Sequence, residues 1–213
     1  MPDSTILSCD INMLESNSVP TFTRKQQAIL ESVCHILAKP AQRQFSLTDI
    51  ALEMDTSRAA PYRHFESKTQ VCLALLVWCR CAIDAMFISI ERETDLEMHE
   101  KALNKVQALL LFAQKNPGLV RIFTAEALAE EKIAMQELGL VWQHLRNCLS
   151  ASFRLIQDYE KTQLASSPDA IADMVLDFVR GAYLRFSLSE FEDDLMIGFP
   201  AFADLLVHSM RTK

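Results

Sequence analysis

The chain has 213 residues, half of them hydrophobic, with 21 Lys/Arg against 28 Asp/Glu and a formal net charge of −7. This apolar content is enough to bury a core in one or two domains. So acidic a balance excludes a protein that holds nucleic acid by bulk charge, and any such role must rest on where the charge lies. The four glycines, Gly118, Gly139, Gly181 and Gly198, leave no glycine-rich phosphate loop and no hairpin turns, which points to an all-α chain rather than a nucleotide-binding α/β fold.

Residues 1–22 are Ser-, Thr-, Asn- and Asp-containing with scattered Ile and Leu. They lack a basic run ahead of an apolar one and read as a disordered tail without a secretory signal. Thr23 is placed to cap a helix from Arg24 to Ala38, with Ile29, Val33, Ile36 and Leu37 on its inner face and Pro40 as its stop. Residues 24–68 carry seven Lys/Arg against five Asp/Glu, so the modest basicity of the chain is confined to this stretch. Arg24, Lys25 and Arg43 are candidate phosphate contacts within it.

Three helix-start signals then follow closely. Ser46 with Asp49 forms a capping box ahead of Leu47, Ile50, Ala51 and Met54, one apolar face of a two-turn helix. Asp55 interrupts the pattern, and Ser57 is placed to cap a second short helix through RAAPYRHF, with Pro61 in its first turns. Ser67 with Gln70 opens a long apolar helix. Such a succession is a helix-turn-helix, so residues 23–68 are expected to form a DNA-binding domain. Arg58 and Ala59 suit base edges, since guanidinium donors and small apolar groups match groove atoms. Ser46, Tyr62, His64 and Lys68 suit phosphate oxygens, and Thr48, Ser57 and Arg63 complete the candidate DNA-binding set.

The stretch TSRAAPYRHFESK resembles the recognition-helix signature of the TetR family, in which a Tyr-x-His-Phe run follows the turn and a Lys opens the next helix. The match runs from about Arg24 to Lys68. It implies an all-α fold of about nine helices, with the three-helix DNA-binding domain followed by a helical core and dimerisation domain over 69–213, acting as a cytoplasmic homodimer on double-stranded DNA. That family commonly has Gly at the turn where this chain has Asp55.

The helix expected over Thr69 to Arg92 is apolar nearly all round. Arg80 and Asp84 near its centre break it into stretches too short to span a bilayer, so it reads as a core helix and not a membrane segment. Residues 91–100 are an acidic connection. Leu103, Val106, Leu109, Leu110 and Ala113 give an amphipathic helix from Ala102 to Lys115, stopped at Asn116-Pro117-Gly118. A short helix from Leu119 to Ala129 and a long one from Glu131 to about Glu160 follow. After a loop over 162–168, with Ser167 capping and Pro168 in the first turn, the last two helices are expected over about 169–190 and 195–210. The family resemblance makes this last pair the dimer interface, with Phe178, Gly181, Ala182 and Arg185 in it and Gly181 near the axis.

NPGLVRIFTAEALAEE and FVRGAYLRFSLSEF resemble the corresponding stretches of the nucleoid occlusion branch of the TetR family, over nearly residues 28–210. That resemblance implies a further partner, the tubulin-like cell-division protein FtsZ, held in a groove to which Trp78, Lys115 and Asn116 correspond. Met86 and Leu111 stand where that branch carries Arg and Gly. The alternative is a ligand-responsive repressor whose C-terminal bundle encloses an apolar effector, with Met135, Trp142 and Phe153 lining the cavity. The six cysteines read as free thiols, no set of metal ligands has a recognisable spacing, and no cofactor is implied. No nucleophile is paired with a base, so an enzyme is not expected.

Overall fold

The structure, a computed structural model, describes residues 21–159 and 164–210. Most of the expected tail over 1–22, the end of the long helix at Glu160, and Thr162 and Gln163 of the expected loop lie outside the described residues. Eight α-helices are present among the described residues, with no strand, against the nine or so expected.

α1 spans Arg24–Ala38. Thr23 Oγ1 accepts from the Gln26 amide at 3.3 Å while Gln26 Oε1 accepts from the Thr23 amide at 3.0 Å, so two otherwise orphaned N–H groups are satisfied reciprocally. α2 spans Leu47–Glu53 and opens on the same device, with Ser46 Oγ accepting at 3.2 Å from the Asp49 amide and Asp49 Oδ2 accepting at 2.8 Å from that of Ser46. Its end is a Schellman turn: the Thr56 N–H reaches the Ala51 carbonyl and the Asp55 N–H that of Leu52, with Asp55 at φ 50°.

The second short helix expected from Ser57 is replaced by a turn and a 3-10 helix at Pro61–Arg63. The cause is local. In an α-helix capped by Ser57 the Ser57 carbonyl would take the N–H of residue 61, and proline has none. The carbonyl takes the Ala60 N–H at 2.9 Å instead, and the same i→i+3 spacing continues from Arg63 to Ala60 and from His64 to Pro61.

α3 runs over Lys68–Arg92 and α4 over Met98–Lys115. α3 is long and apolar enough to cross a bilayer by length and composition. About half of its apolar stretch is buried inside the folded chain, as in the core helix of a soluble protein. α5 spans Pro117–Phe123, starting two residues before the expected 119–129 helix and ending six residues short of it. Ala125, at φ 67°, breaks it, and a 3-10 turn over Glu126–Leu128 follows. α6 spans Lys132–Tyr159 and α7 Pro168–Leu188. Ser167 caps α7 as expected, accepting from the Ala170 amide at 3.2 Å. α8 starts at Phe199 and ends at Met210, four residues later than expected. Pro200 then falls in the first turn, where its missing N–H breaks nothing.

The helices form two compact units. The first comprises residues up to Ala85 together with Lys115–Leu138, the second Met86–Gln114 together with Gly139 onward. This division does not coincide with the 68/69 boundary expected from sequence, because α5 belongs with α1. A Cβ on Gly118 would stand 2.0 Å from the Cys34 carbonyl oxygen, so the two helices meet backbone to backbone at that point. Leu30, Val33, Leu37, Ile50, Leu75, Val120 and Ile122 fill this first core. Arg121 is fully buried in it, with Nη1 3.4 Å from the Lys39 carbonyl at the end of α1.

In the second unit Leu109, Leu145, Leu149, Phe153, Val175 and Val179 are buried, and the Tyr183 hydroxyl donates to the Leu109 carbonyl at 2.7 Å. Two lysines are unexpectedly buried here. Lys105 pairs with the Glu91 carboxylate, and Lys101 donates to the Glu91 carbonyl at 2.9 Å. Each buried ammonium thus has oxygen partners, which makes its burial tolerable.

Candidate nucleic-acid interface

The candidate reading segment is held from three sides within the first unit. The capping box fixes the start of α2, the Schellman turn reverses the chain after it, and Phe65 is buried beyond the 3-10 turn, anchoring its far end. Pro61 is also buried. Between these anchors Ser57, Arg58, Ala59, Tyr62 and Arg63 are all exposed, Tyr62 to 53%. Ser46 is exposed, Thr48 and His64 half-buried. The predicted DNA-facing residues therefore lie on one short segment and the helix start beside it.

Two of them are differently engaged, and the first is Ser46, whose hydroxyl donates to Asp49 Oδ2 at 2.8 Å. Lys68 donates to Gln44 Oε1 at 2.8 Å, lies 4.0 Å from Glu131 and stands over the Phe45 ring at 5.2 Å. Its ammonium fastens the start of α3 to the loop before α2 rather than standing free for a phosphate. Arg43 is likewise paired with Glu126 at 2.8 Å, whereas Arg24 and Lys25 are exposed.

Folding adds two features that spacing alone concealed. A cleft of about 200 Å³ is lined by Lys25 and Ile29 of α1, Met54 and Thr56 of the turn, and Ala60, Pro61, Arg63 and His64 of the reading segment. It gathers Lys25, Arg63 and His64 with no acidic residue in its lining. The second feature is the strap after α5. Glu126 accepts from Arg43, its carbonyl accepts from Gln44 at 2.7 Å, and Glu131 accepts from Thr69 at 2.5 Å. Only the position of α5 against α1 could have revealed these ties, since more than 60 residues separate the partners in each of these bonds.

The residues expected to form a partner groove are not alike in access. Lys115 is exposed, but Trp78 and Asn116 are buried at 7% and 5%, so both belong to the core of the first unit and not to an open face. Of the expected dimer residues Gly181 and Arg185 are exposed, and Phe178 is half-buried in a parallel stack on Phe202 at 3.9 Å. Ala182 is buried at 1% and faces the core of its own chain, off the exposed side of α7 that carries Gly181 and Leu184. The residues proposed to line an effector cavity do not share one environment either: Met135 is exposed, Phe153 fully buried, and Trp142 packed beneath the Arg180 guanidinium and against Tyr183.

Four of the described thiols fit no nucleophilic role. Burial pushes Cys34 and Cys72 up to about 12 and Cys79 well above the ordinary range, and burial also raises Cys81, so these side chains stay protonated at neutral pH.

Residues 95–211 match the family model described as SlmA-like, a tetracyclin repressor-like C-terminal domain. The nucleoid occlusion factor SlmA of Cronobacter sakazakii is 26% identical over 193 residues, covering 88% of this chain and 95% of that protein. The protein of the same name from Escherichia coli O1:K1 is 27% identical over 186 residues, covering 84% and 93%. In fold, the chain is similar to the fatty acid degradation regulator FadR from Bacillus halodurans, with a TM-score of 0.75 at 13% identity over 91% of this chain and all of that one. A TetR transcriptional regulator from Legionella pneumophila gives 0.70 at 18% identity, covering 87% and 98%.

Proposed function

The chain belongs to the SlmA-like family of tetracyclin repressor-like proteins, and on that premise we propose that it binds a pseudo-palindromic duplex as a homodimer and acts there as a nucleoid occlusion factor. The observation that carries DNA reading is the exposed row Ser57, Arg58, Ala59, Tyr62 and Arg63, held between a capped helix and a buried Phe65. Arg58 supplies a planar fork for a base edge, and Ala59 is small enough to approach a thymine methyl. Thr48, Tyr62, His64 and the exposed Arg24 and Lys25 supply phosphate contacts. The acidic net charge, −7, keeps non-specific affinity low and leaves selectivity to this segment.

The division-regulating part of the reading rests on relatives named nucleoid occlusion factor that align over more than four-fifths of the chain. On this reading the protein acts at the nucleoid, in the cytoplasm. FtsZ is the partner this reading implies. With Trp78 and Asn116 buried, the accessible part of the partner face begins at Lys115, and DNA docking through the first unit biases it by reciprocal coupling.

Selecting bound fragments from a random duplex library tests the first step. Replacing Arg58 by Ala relaxes the preference at one position of the half-site and costs about 1–3 kcal/mol. An unaltered isotherm would show that this segment is not the reader. The second step is tested by FtsZ polymer yield with the selected duplex present. Inhibition that requires the duplex supports the reading, whereas no inhibition, with the duplex released by a hydrophobic small molecule, identifies a ligand-responsive repressor instead.

A further inference from the structure

Spacing in the sequence showed no set of metal ligands, yet α6 aligns two. His144 and Cys148 are one turn apart on the same face, both half-buried, with Sγ 3.7 Å from the imidazole Nε2. A tetrahedral zinc-type ion holds nitrogen at roughly 2.0–2.1 Å and thiolate sulfur at roughly 2.3 Å, which puts two such ligand atoms about 3.6 Å apart. The pair already stands at that bite. An i,i+4 spacing is also the one at which a helix presents two ligands to a single ion without bending.

We propose that His144 Nε2 and Cys148 Sγ form a site for a borderline-soft divalent cation of the zinc class. Imidazole with thiolate selects such ions over magnesium and calcium, which prefer oxygen. On binding, the neutral imidazole donates its lone pair, the thiol gives its proton to solvent, and a metal–sulfur bond forms with no change of oxidation state. Water fills the remaining positions. The surroundings tolerate the charge. One turn further along α6, Ser152 Oγ donates to the Cys148 carbonyl at 3.2 Å and accepts from Lys105 at 2.6 Å, and that ammonium is already balanced by Glu91.

The other described thiols compete weakly. Cys34, Cys72 and Cys79 are buried and held protonated, leaving the half-buried Cys81. The test therefore uses the full chain with Cys9→Ser and Cys81→Ser, titrated with cobalt(II) and read by the near-ultraviolet sulfur-to-cobalt charge-transfer band. The expected result is a saturable band displaced by zinc, lost in Cys148→Ser and weakened by roughly tenfold or more in affinity in His144→Ala. His144→Cys keeps two soft ligands one turn apart and retains the band within a few-fold, with helicity by circular dichroism unchanged in every variant. No band at millimolar cobalt, a band surviving Cys148→Ser, an affinity indifferent to His144→Ala, or equal loss in His144→Cys would each overturn the site.

Discussion

Asp55 shows how one residue can carry a turn against its own preference. It occupies the left-handed position after α2, at φ 50°, with the Asp55 and Thr56 N–H groups closing the helix end. Its β-carbon is strained there, though less than that of most side chains, and its carboxylate lies at the negative end of a helix dipole. Both effects have the same sign, so Asp55→Gly is expected to stabilise the chain by about 1 kcal/mol, somewhat offset by the greater freedom of glycine when unfolded. A urea midpoint measured for both proteins checks it, and a lower midpoint in the variant would mean the side chain is held by something stronger than strain. The sequence revealed this position because the capping box and apolar period before it fixed where the helix had to end. Ala125, at φ 67°, gave no such warning. Alanine is a strong helix former and carries no mark of a left-handed site, so the break after α5 could not be read.

At the scale of elements, legibility followed how locally each boundary is determined. α1 lies where it is expected, Arg24–Ala38, because the Thr23 cap and the Pro40 stop are both local signals. The stretch after Ser57 is a turn and a 3-10 helix and not the expected α-helix, since the decisive fact is which carbonyl lacks a donor once Pro61 is in place. Buried lysines on α4 were invisible because only the folded chain brings Glu91 to them. The join of α6 and α7 is set by another such cluster. Arg146 clasps Asp173 through two bonds at 2.6 and 3.0 Å, while Asp169 accepts from Ser150 and, at 2.8 Å, from Arg154.

The Ser150 hydroxyl, with Arg154 and Arg146 behind it, holds Asp169 below the ordinary aspartate value of 3.8, and Arg146 does the same for Asp173. A depressed carboxylate contributes stability that is full above the unfolded value and is lost as pH falls through the folded one. The wild type is therefore expected to lose stability on acidification below about pH 4 more steeply than Asp169→Asn/Asp173→Asn. Urea midpoints across that range decide it. Parallel acid limbs for the two proteins would show that the cluster adds nothing to folding.

At the scale of the whole molecule, the surface question is what covers the outer face of α7. Met174, Asp177, Gly181, Leu184 and Leu188 recur at alternating intervals of three and four, a single seam along the helix, and every one of them is exposed. Leu205 of α8 and Ile197 just before it are exposed to 72% and 75%. Three large apolar side chains on one seam, Met174, Leu184 and Leu188, left in water are unfavourable and are the expected mark of a protein interface. A two-fold axis across it would pair the seam with itself. Gly181 sits at its middle, and a Cβ there meets nothing of its own chain within 4 Å, so its lack of a side chain serves no packing need inside the protomer. Gly181→Leu then separates the two roles. Within one protomer it raises helix propensity by roughly 0.5–1 kcal/mol, and its β-carbon projects from an exposed position into open space, so helicity holds. Across the seam it forces two helices apart. The expected outcome is a wild type that sediments as a dimer, a folded monomer for Gly181→Leu, and a weaker hold on a two-half-site duplex with the half-site preference unchanged. A monomeric wild type, or a variant that still dimerises, would place the dimer contact elsewhere on the chain.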